Sequence, residues 1–105
     1  MPESNAKQYQ SFAEFYPFYL SQHRNSTCRR LHFVGSMLVL LVLFYSFFYG
    51  ALSTLFWLPV IGYGFAWVGH FFFEKNRPAT FTYPLYSLAG DWVMFKDILV
   101  GKIKL

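Results

Sequence analysis

A chain of 105 residues is enough for one domain, and this one is 55% hydrophobic, 24% aromatic and 13% charged, against about 25% charged residues in soluble domains. Fourteen Phe, eight Tyr and three Trp exceed what a water-soluble core this small buries, whereas a lipid-facing surface lets apolar side chains point outward. The net charge of +4 does not indicate nucleic acid, because the positives flank apolar segments and form no basic stripe.

In chain order, residues 1–7 are polar and read as a frayed terminus. MPESNAKQYQ lacks the basic-then-apolar pattern of a signal peptide, so insertion is expected to use internal spans. From Gln8 to Gln22, Phe12, Phe15, Tyr16 and Tyr19 recur at helical spacing. The segment is too short and polar to span, and its Tyr and Phe suit an amphipathic helix at the membrane interface. Pro17 is expected to kink or restart it. HRNSTC breaks the pattern, and Asn25, Ser26 or Thr27 can cap the next helix.

Between Arg30 and Glu74 there is no Asp, Glu, Lys or Arg. One membrane helix needs roughly 20 apolar residues, so this run is too long for one and about right for two. The first helix is predicted from Cys28 to Gly50, with Gly50 to Ser53 as the turn. The second runs from Thr54 to Phe73 with Pro59 in its first half, giving spans of about 31–50 and 54–73. EKNRPAT is a loop, since the residue before Pro78 is pushed out of helical geometry. A last helix starts near Pro84, which suits a first turn, and carries Leu88, Trp92, Phe95 and Leu99 on one face. With Asp91, Lys96 and Asp97 inside it, this helix reads as interfacial.

The expected fold is therefore all-α. It is a small membrane helical bundle in which an antiparallel transmembrane hairpin is flanked by N- and C-terminal interfacial helices, forming a single integral membrane domain over 1–105. Arg24, Arg29, Arg30, Lys75 and Arg77 gather at one end of the hairpin and the Tyr49–Trp57 end carries no positive charge. The positive-inside rule puts both termini in the cytoplasm, of a bacterial inner membrane or of the endoplasmic reticulum. Cys28 is the only cysteine, so no intrachain disulfide forms, and a cytoplasmic position suits a reduced thiol.

A hairpin brings His23, His32 and His70 to one membrane face. Gly62, Ala66 and His70 lie four apart along one face of the second span, and Gly35 and Ser36 follow His32 by one turn. Small residues let membrane helices approach closely, so His32 and His70 are expected to point at each other. His23 and His32 are nine apart, roughly 2.5 helical turns, so the HRNSTC break is needed to turn His23 back. Glu74 follows His70 by four and is expected on the same helical face. Asp91 sits in the apolar setting YPLYSLAGDWVMF, where ionisable groups usually face the protein interior. Three imidazoles and up to two carboxylates suit iron, zinc, copper or nickel, and with open positions resemble a non-heme iron(II) set. Simpler roles stand beside these: histidines as interhelical hydrogen-bond partners, Glu74 paired with Arg77, Asp91 as a cap or ion-pair partner, and Cys28 as a structural residue. Arg24, Arg30 and Arg77 serve topology, and one of them can grip a substrate carboxylate.

FYPFYLSQHRNSTCRRLHFVGS followed by GYGFAWVGHFFFEKNRPATFTYPLYSLAGDW resembles the 2-hydroxy fatty acid dioxygenase (Mpo-type) family of small membrane proteins, over about residues 12–100. The most specific pieces are the H-x8-H pair of His23 and His32, and GH-x3-E-x3-PA, here Gly69, His70, Glu74, Pro78 and Ala79. The resemblance implies iron(II)-dependent α-oxidation, in which oxygen shortens a 2-hydroxy fatty acid by one carbon. It also implies that His23, His32 and His70 carry the iron, with Glu74 or Asp91 completing or supporting the site. The alternatives are a site for another metal with other chemistry, and a non-catalytic lipid- or protein-binding membrane module.

Overall fold

Ser11 opens the first helix: its Oγ accepts from the Glu14 N–H at 3.2 Å, while the Glu14 carboxylate accepts from the Gln10 N–H at 3.1 Å. This computed structural model describes residues 9–105, so the expectation for residues 1–7 lies outside it. Helix α1 (Phe12–Ser21) runs through Pro17 without interruption. The proline forfeits one helical hydrogen bond, and of the two expected outcomes the restart does not occur. Buried Phe15 and Tyr19 keep that face seated against the rest of the molecule.

Helix α2 (Ser26–Phe48) is capped by Asn25, whose Oδ1 accepts from the N–H groups of Thr27 at 2.8 Å and Cys28 at 3.2 Å. These are among the donors a helix start leaves unpaired. It ends at Gly50, whose φ of +64° is the left-handed geometry that closes helices. The second long rod begins with a 3₁₀ turn (Leu52–Phe56), continues as α3 (Trp57–Val68) and finishes as a π turn (Gly69–Glu74). Pro59 falls in the first turn of α3, where its missing N–H leaves no bond unmade. The Ser46 and Thr54 hydroxyls bond across the turn.

Ser26–Phe48 and Leu52–Glu74 are each 23 residues and are long and apolar enough to cross a membrane. Phe44, Phe47, Phe48, Phe56, Trp57 and Phe72 stand largely exposed along them, as lipid-facing side chains do. The rods pack on each other, and two glycines show how closely. A Cβ built on Gly35 would lie 2.8 Å from Phe65 Cβ, and one on Gly69 would lie 2.8 Å from Cys28 Sγ.

A short 3₁₀ turn (Ala79–Phe81) leads into α4 (Pro84–Leu99), with Pro84 at its first position. Of the apolar face read from the sequence of α4, Phe95 is buried and Trp92 half-buried, but the face is not buried as a whole. Leu88 and Leu99 are exposed, while Ser87, Gly90, Met94 and Ile98 are buried. Gly90 is the reason: a Cβ there would meet the Tyr19 ring at 2.8 Å, so the helix seats its small-residue stripe on α1. Phe95 stacks on Phe33 of α2, with ring centroids 5.0 Å apart. The core gathers Phe15, Tyr19, Ala79, Met94 and Ile98, which places it beside the hairpin's histidine end and not between the rods. The molecule measures 50 × 26 × 26 Å. Its long axis exceeds a hydrocarbon layer of about 30 Å, leaving room for α1 and α4 as a cap on one end.

Candidate metal centre

His32 lies in the second turn of α2, and His70 lies in the π turn that ends the second rod. Folding one rod on the other brings their ring centroids to 5.1 Å. His23 sits in the connection between α1 and α2. Its backbone N–H bonds the Leu20 carbonyl at 3.0 Å, ending α1 in a tight turn. Arg29 then holds that turn: its Nη1 donates to the carbonyls of His23 at 3.0 Å and Arg24 at 2.8 Å, and its Nε to Lys104 at 2.9 Å. The His23 ring arrives 4.4 Å from both other imidazoles, centroid to centroid, and nearly perpendicular to each. All three histidines are buried.

The outer nitrogens of the rings are all engaged. His23 Nδ1 lies 2.7 Å from the Tyr19 carbonyl and His32 Nδ1 lies 3.1 Å from the Cys28 carbonyl. A carbonyl only accepts, so both Nδ1 atoms carry the proton. His70 Nδ1 lies 2.7 Å from Asn76 Oδ1. Asn76 Nδ2 donates to both Gln22 oxygens, backbone and side chain, at 3.1 Å. That pairing turns the amide oxygen toward His70, whose Nδ1 is therefore also the donor. Each neutral ring is left with an unprotonated Nε2. The Nε2 atoms of His23 and His32 face each other at 3.1 Å, a separation that two nitrogens sharing one ion through bonds of about 2.1 Å readily take. Imidazoles whose far N–H is tied to an oxygen acceptor are the usual form of metal-binding histidines. The donor set thus fits a metal ion.

Burial, and then the neighbouring imidazoles, hold His23 well below the usual histidine range, so its ring is neutral at ordinary pH. One ligand atom each from His23, Cys28, His32 and His70 falls within 4.8 Å of the others. Cys28 Sγ stands 3.8 Å from His32 Nδ1, beside the nitrogen that already donates to the Cys28 carbonyl. The two residues are four apart on α2, a spacing that was available as a signal although the thiol read as merely structural.

The carboxylates separate. Asp91 Oδ1 is 4.0 Å from His32 Nε2 and accepts from the Tyr19 hydroxyl. Burial pushes its pKa up to about 6, with the Tyr19 hydrogen bond opposing the rise. Tyr19 also stacks its ring on His23 at 4.1 Å. Glu74 is directed elsewhere: its carboxylate accepts the backbone N–H of Asn25. It acts as the capping-box acid does, but from another helix, and the π turn leaves Asn76 as the partner of the His70 ring. Lys75, with φ of +61°, reverses the chain so that Asn76 returns there.

A cavity of about 260 Å³ opens beside the histidines, between α2, α3 and α4. His32, Ser36 and Asp91 stand at its histidine end, Val39, Leu58, Pro59, Gly62, Ala66 and Leu88 line its length, and Tyr63 and Trp92 border it as well. Arg24, Arg30 and Arg77 do not line it. Arg30 Nε donates to the Leu105 carbonyl at 3.2 Å and Arg77 lies over the Phe81 ring at 5.0 Å, so both guanidinium groups are held away from a substrate in that cavity. The expected Glu74–Arg77 pair is also absent among the described residues.

Asn76, Gln22 and Arg29 carry no periodicity or motif signal, and their parts follow only from the tertiary structure. Compared with known proteins, residues 9–103 match the family model described as 2-hydroxy-palmitic acid dioxygenase Mpo1-like. No curated protein and no solved structure matches the chain.

Proposed function

The chain belongs to the Mpo1-like family, and from that premise we propose that it is an iron(II)-dependent dioxygenase. In this reading it shortens a 2-hydroxy fatty acid by one carbon through α-oxidation, using oxygen. The observation that carries the reading is the clustering of three buried imidazoles whose Nδ1 atoms are each held outward by an oxygen, which leaves the Nε2 of a neutral ring free, beside a cavity lined largely by apolar residues.

His23, His32 and His70 hold the ion. Bound there, iron(II) supplies oxygen activation and a chelating point for the substrate's carboxylate and 2-hydroxyl. Asn76 and the Tyr19 and Cys28 carbonyls orient the rings. Asp91, at the cavity's polar end and fixed by Tyr19, accepts a hydrogen bond from the 2-hydroxyl and is placed to take its proton. The tail lies in the cavity, along its apolar lining residues. The charge pattern supports an integral membrane protein with its histidine end and both termini on the cytoplasmic side. A fatty acid rests with its head at the same depth.

Protein purified without chelators, reconstituted anaerobically with iron(II) and then given oxygen and 2-hydroxypalmitate should yield the acid one carbon shorter. A folded, iron-loaded sample that yields none removes the proposal. Cys28 within reach of the histidines supports a second reading, a zinc site, because thiolate and imidazole together suit zinc. Elemental analysis of the same preparation separates the two.

A further inference from the structure

Gly62 marks a change in how the two rods meet. At Gly35 and Gly69 an added Cβ would come within 2.8 Å of the facing helix's side chains, but at Gly62 the nearest atom is Val39 Cγ2 at 3.7 Å. The cavity follows this looser stretch. On α3 it runs from Ala66 past Gly62 to Pro59 and Leu58, eight residues or about 12 Å at 1.5 Å per residue. On α2 it runs from His32 past Ser36 to Val39, about 10 Å on the same measure. His32, Ser36 and Asp91 stand at its histidine end, Tyr63 adds a phenol partway along α3, and Val39, Leu58 and Pro59 line its far end. Such a slot matches an unbranched chain with a polar head.

We propose that this slot gauges the acyl chain, and that Gly62 is the residue whose missing side chain lets the tail pass. The inference rests on the reading of the histidine cluster as the site of fatty-acid oxidation. An extended chain advances about 1.2 Å per bond, so about 12 Å of slot takes roughly ten bonds of tail. Carbons beyond that continue past Pro59 among side chains exposed to lipid. Lipid tails are as apolar as the slot, so a tail leaving the bilayer gains little hydrophobic energy. Discrimination by length or branching is therefore steric, and a side chain at position 62 decides it.

The test compares wild type, Gly62→Ala and Gly62→Leu with acids from 2-hydroxyhexanoate to 2-hydroxypalmitate in nanodiscs. Turnover is measured alongside displacement of a fluorescent fatty acid by the corresponding non-hydroxylated acids, which needs no reaction. Gly62→Leu should lower kcat/KM and binding for the palmitoyl chain by at least about tenfold, the scale of steric discrimination in an apolar pocket. The hexanoyl chain should change by less than about twofold. Equal losses at both lengths, or no loss at either, overturn the proposal. Should Gly62→Leu not fold, Val39→Ala gives the reciprocal test: widening the slot should admit methyl-branched chains that wild type excludes, and unchanged exclusion overturns it. Length-selective binding without turnover keeps the gauge and removes the dioxygenase reading. Turnover that ignores both length and position 62 does the opposite.

Discussion

His23 and His32 face each other through Nε2 atoms 3.1 Å apart, and each ring's other nitrogen is bound to a backbone carbonyl. Neither inner nitrogen of a neutral ring carries a proton, so two lone pairs oppose each other in a buried site. A cation between them turns that repulsion into attraction. Alanine at His23, His32 or His70 should therefore abolish metal retention. Activity should fall by at least about a hundredfold, beyond the roughly 10- to 100-fold that loss of an outer hydrogen-bond partner costs. A chelator should also lower the melting temperature of wild type, since free metal at a hundred times its Kd stabilises by about 2.7 kcal/mol. Metal analysis and thermal unfolding in detergent check both. Full metal content in all three variants would remove the shared site.

Asn76 holds the His70 ring from outside the histidine cluster. Asn76→Ala should leave His70 in place but free its ring to rotate, and the distal N–H would lose its acceptor. Metal affinity should drop by roughly 10- to 100-fold, read by competition with a chromophoric chelator, while the fold survives. Asn76→Asp retains the acceptor oxygens but loses the donors to Gln22, so it should recover more affinity than alanine does.

The glycines of the hairpin should differ in tolerance. Gly69→Ala drives a methyl group against Cys28, with the backbone Cα 3.2 Å away and little able to yield. Overpacking of this kind costs about 1–3 kcal/mol. Gly62→Ala meets ordinary van der Waals contact at 3.7 Å and should be neutral or slightly stabilising, since alanine is the better helix former. Thermal unfolding of the two variants side by side settles the contrast. Equal melting temperatures would contradict the packing described.

Tyr16 and Asp97 join α1 to α4 through a hydrogen bond of 2.8 Å. Burial raises the Asp97 pKa, but the Tyr16 hydroxyl, Lys96 and Lys102 outweigh it and hold the carboxyl below its usual value. Burial and Asp97 hold the Tyr16 hydroxyl well above its own. A depressed carboxylate contributes stability that is present above its unfolded pKa and lost as pH falls through its folded one. A raised phenol contributes stability that is present below its unfolded pKa and lost as pH rises through its folded one. Tyr16→Phe should thus lower stability by about 1 kcal/mol, the net worth of one part-buried hydrogen bond. The difference should be level between about pH 5 and 9 and shrink on the acid side. A deficit that grows below pH 4 would contradict it.

The hairpin and the gathering of three histidines could be read from residues alone, because a long charge-free run bracketed by imidazoles leaves few ways to fold in a membrane. The helix starts at Asn25 and Pro84 were legible through capping chemistry. Other features depend on contacts between residues far apart in the chain. The buried face of α4 is chosen by Gly90 under Tyr19, and hydrophobic periodicity favoured the larger residues instead. Glu74 looked like a partner for His70 by its spacing, but the orphan N–H of Asn25 captures it. Asn76 lies six residues beyond His70, a separation with no helical meaning until the π turn and Lys75 bring it back.

The seating of Tyr19 on Gly90 has a consequence for the order of biogenesis. His23 rides at the end of α1, and α1 docks on α4, which is synthesised after both rods. A nascent chain that has formed only its two long rods already presents His32 and His70, yet lacks the third imidazole in place. Under the proposed metal reading, capture of the ion awaits α4, and a product truncated before that helix stays unmetallated.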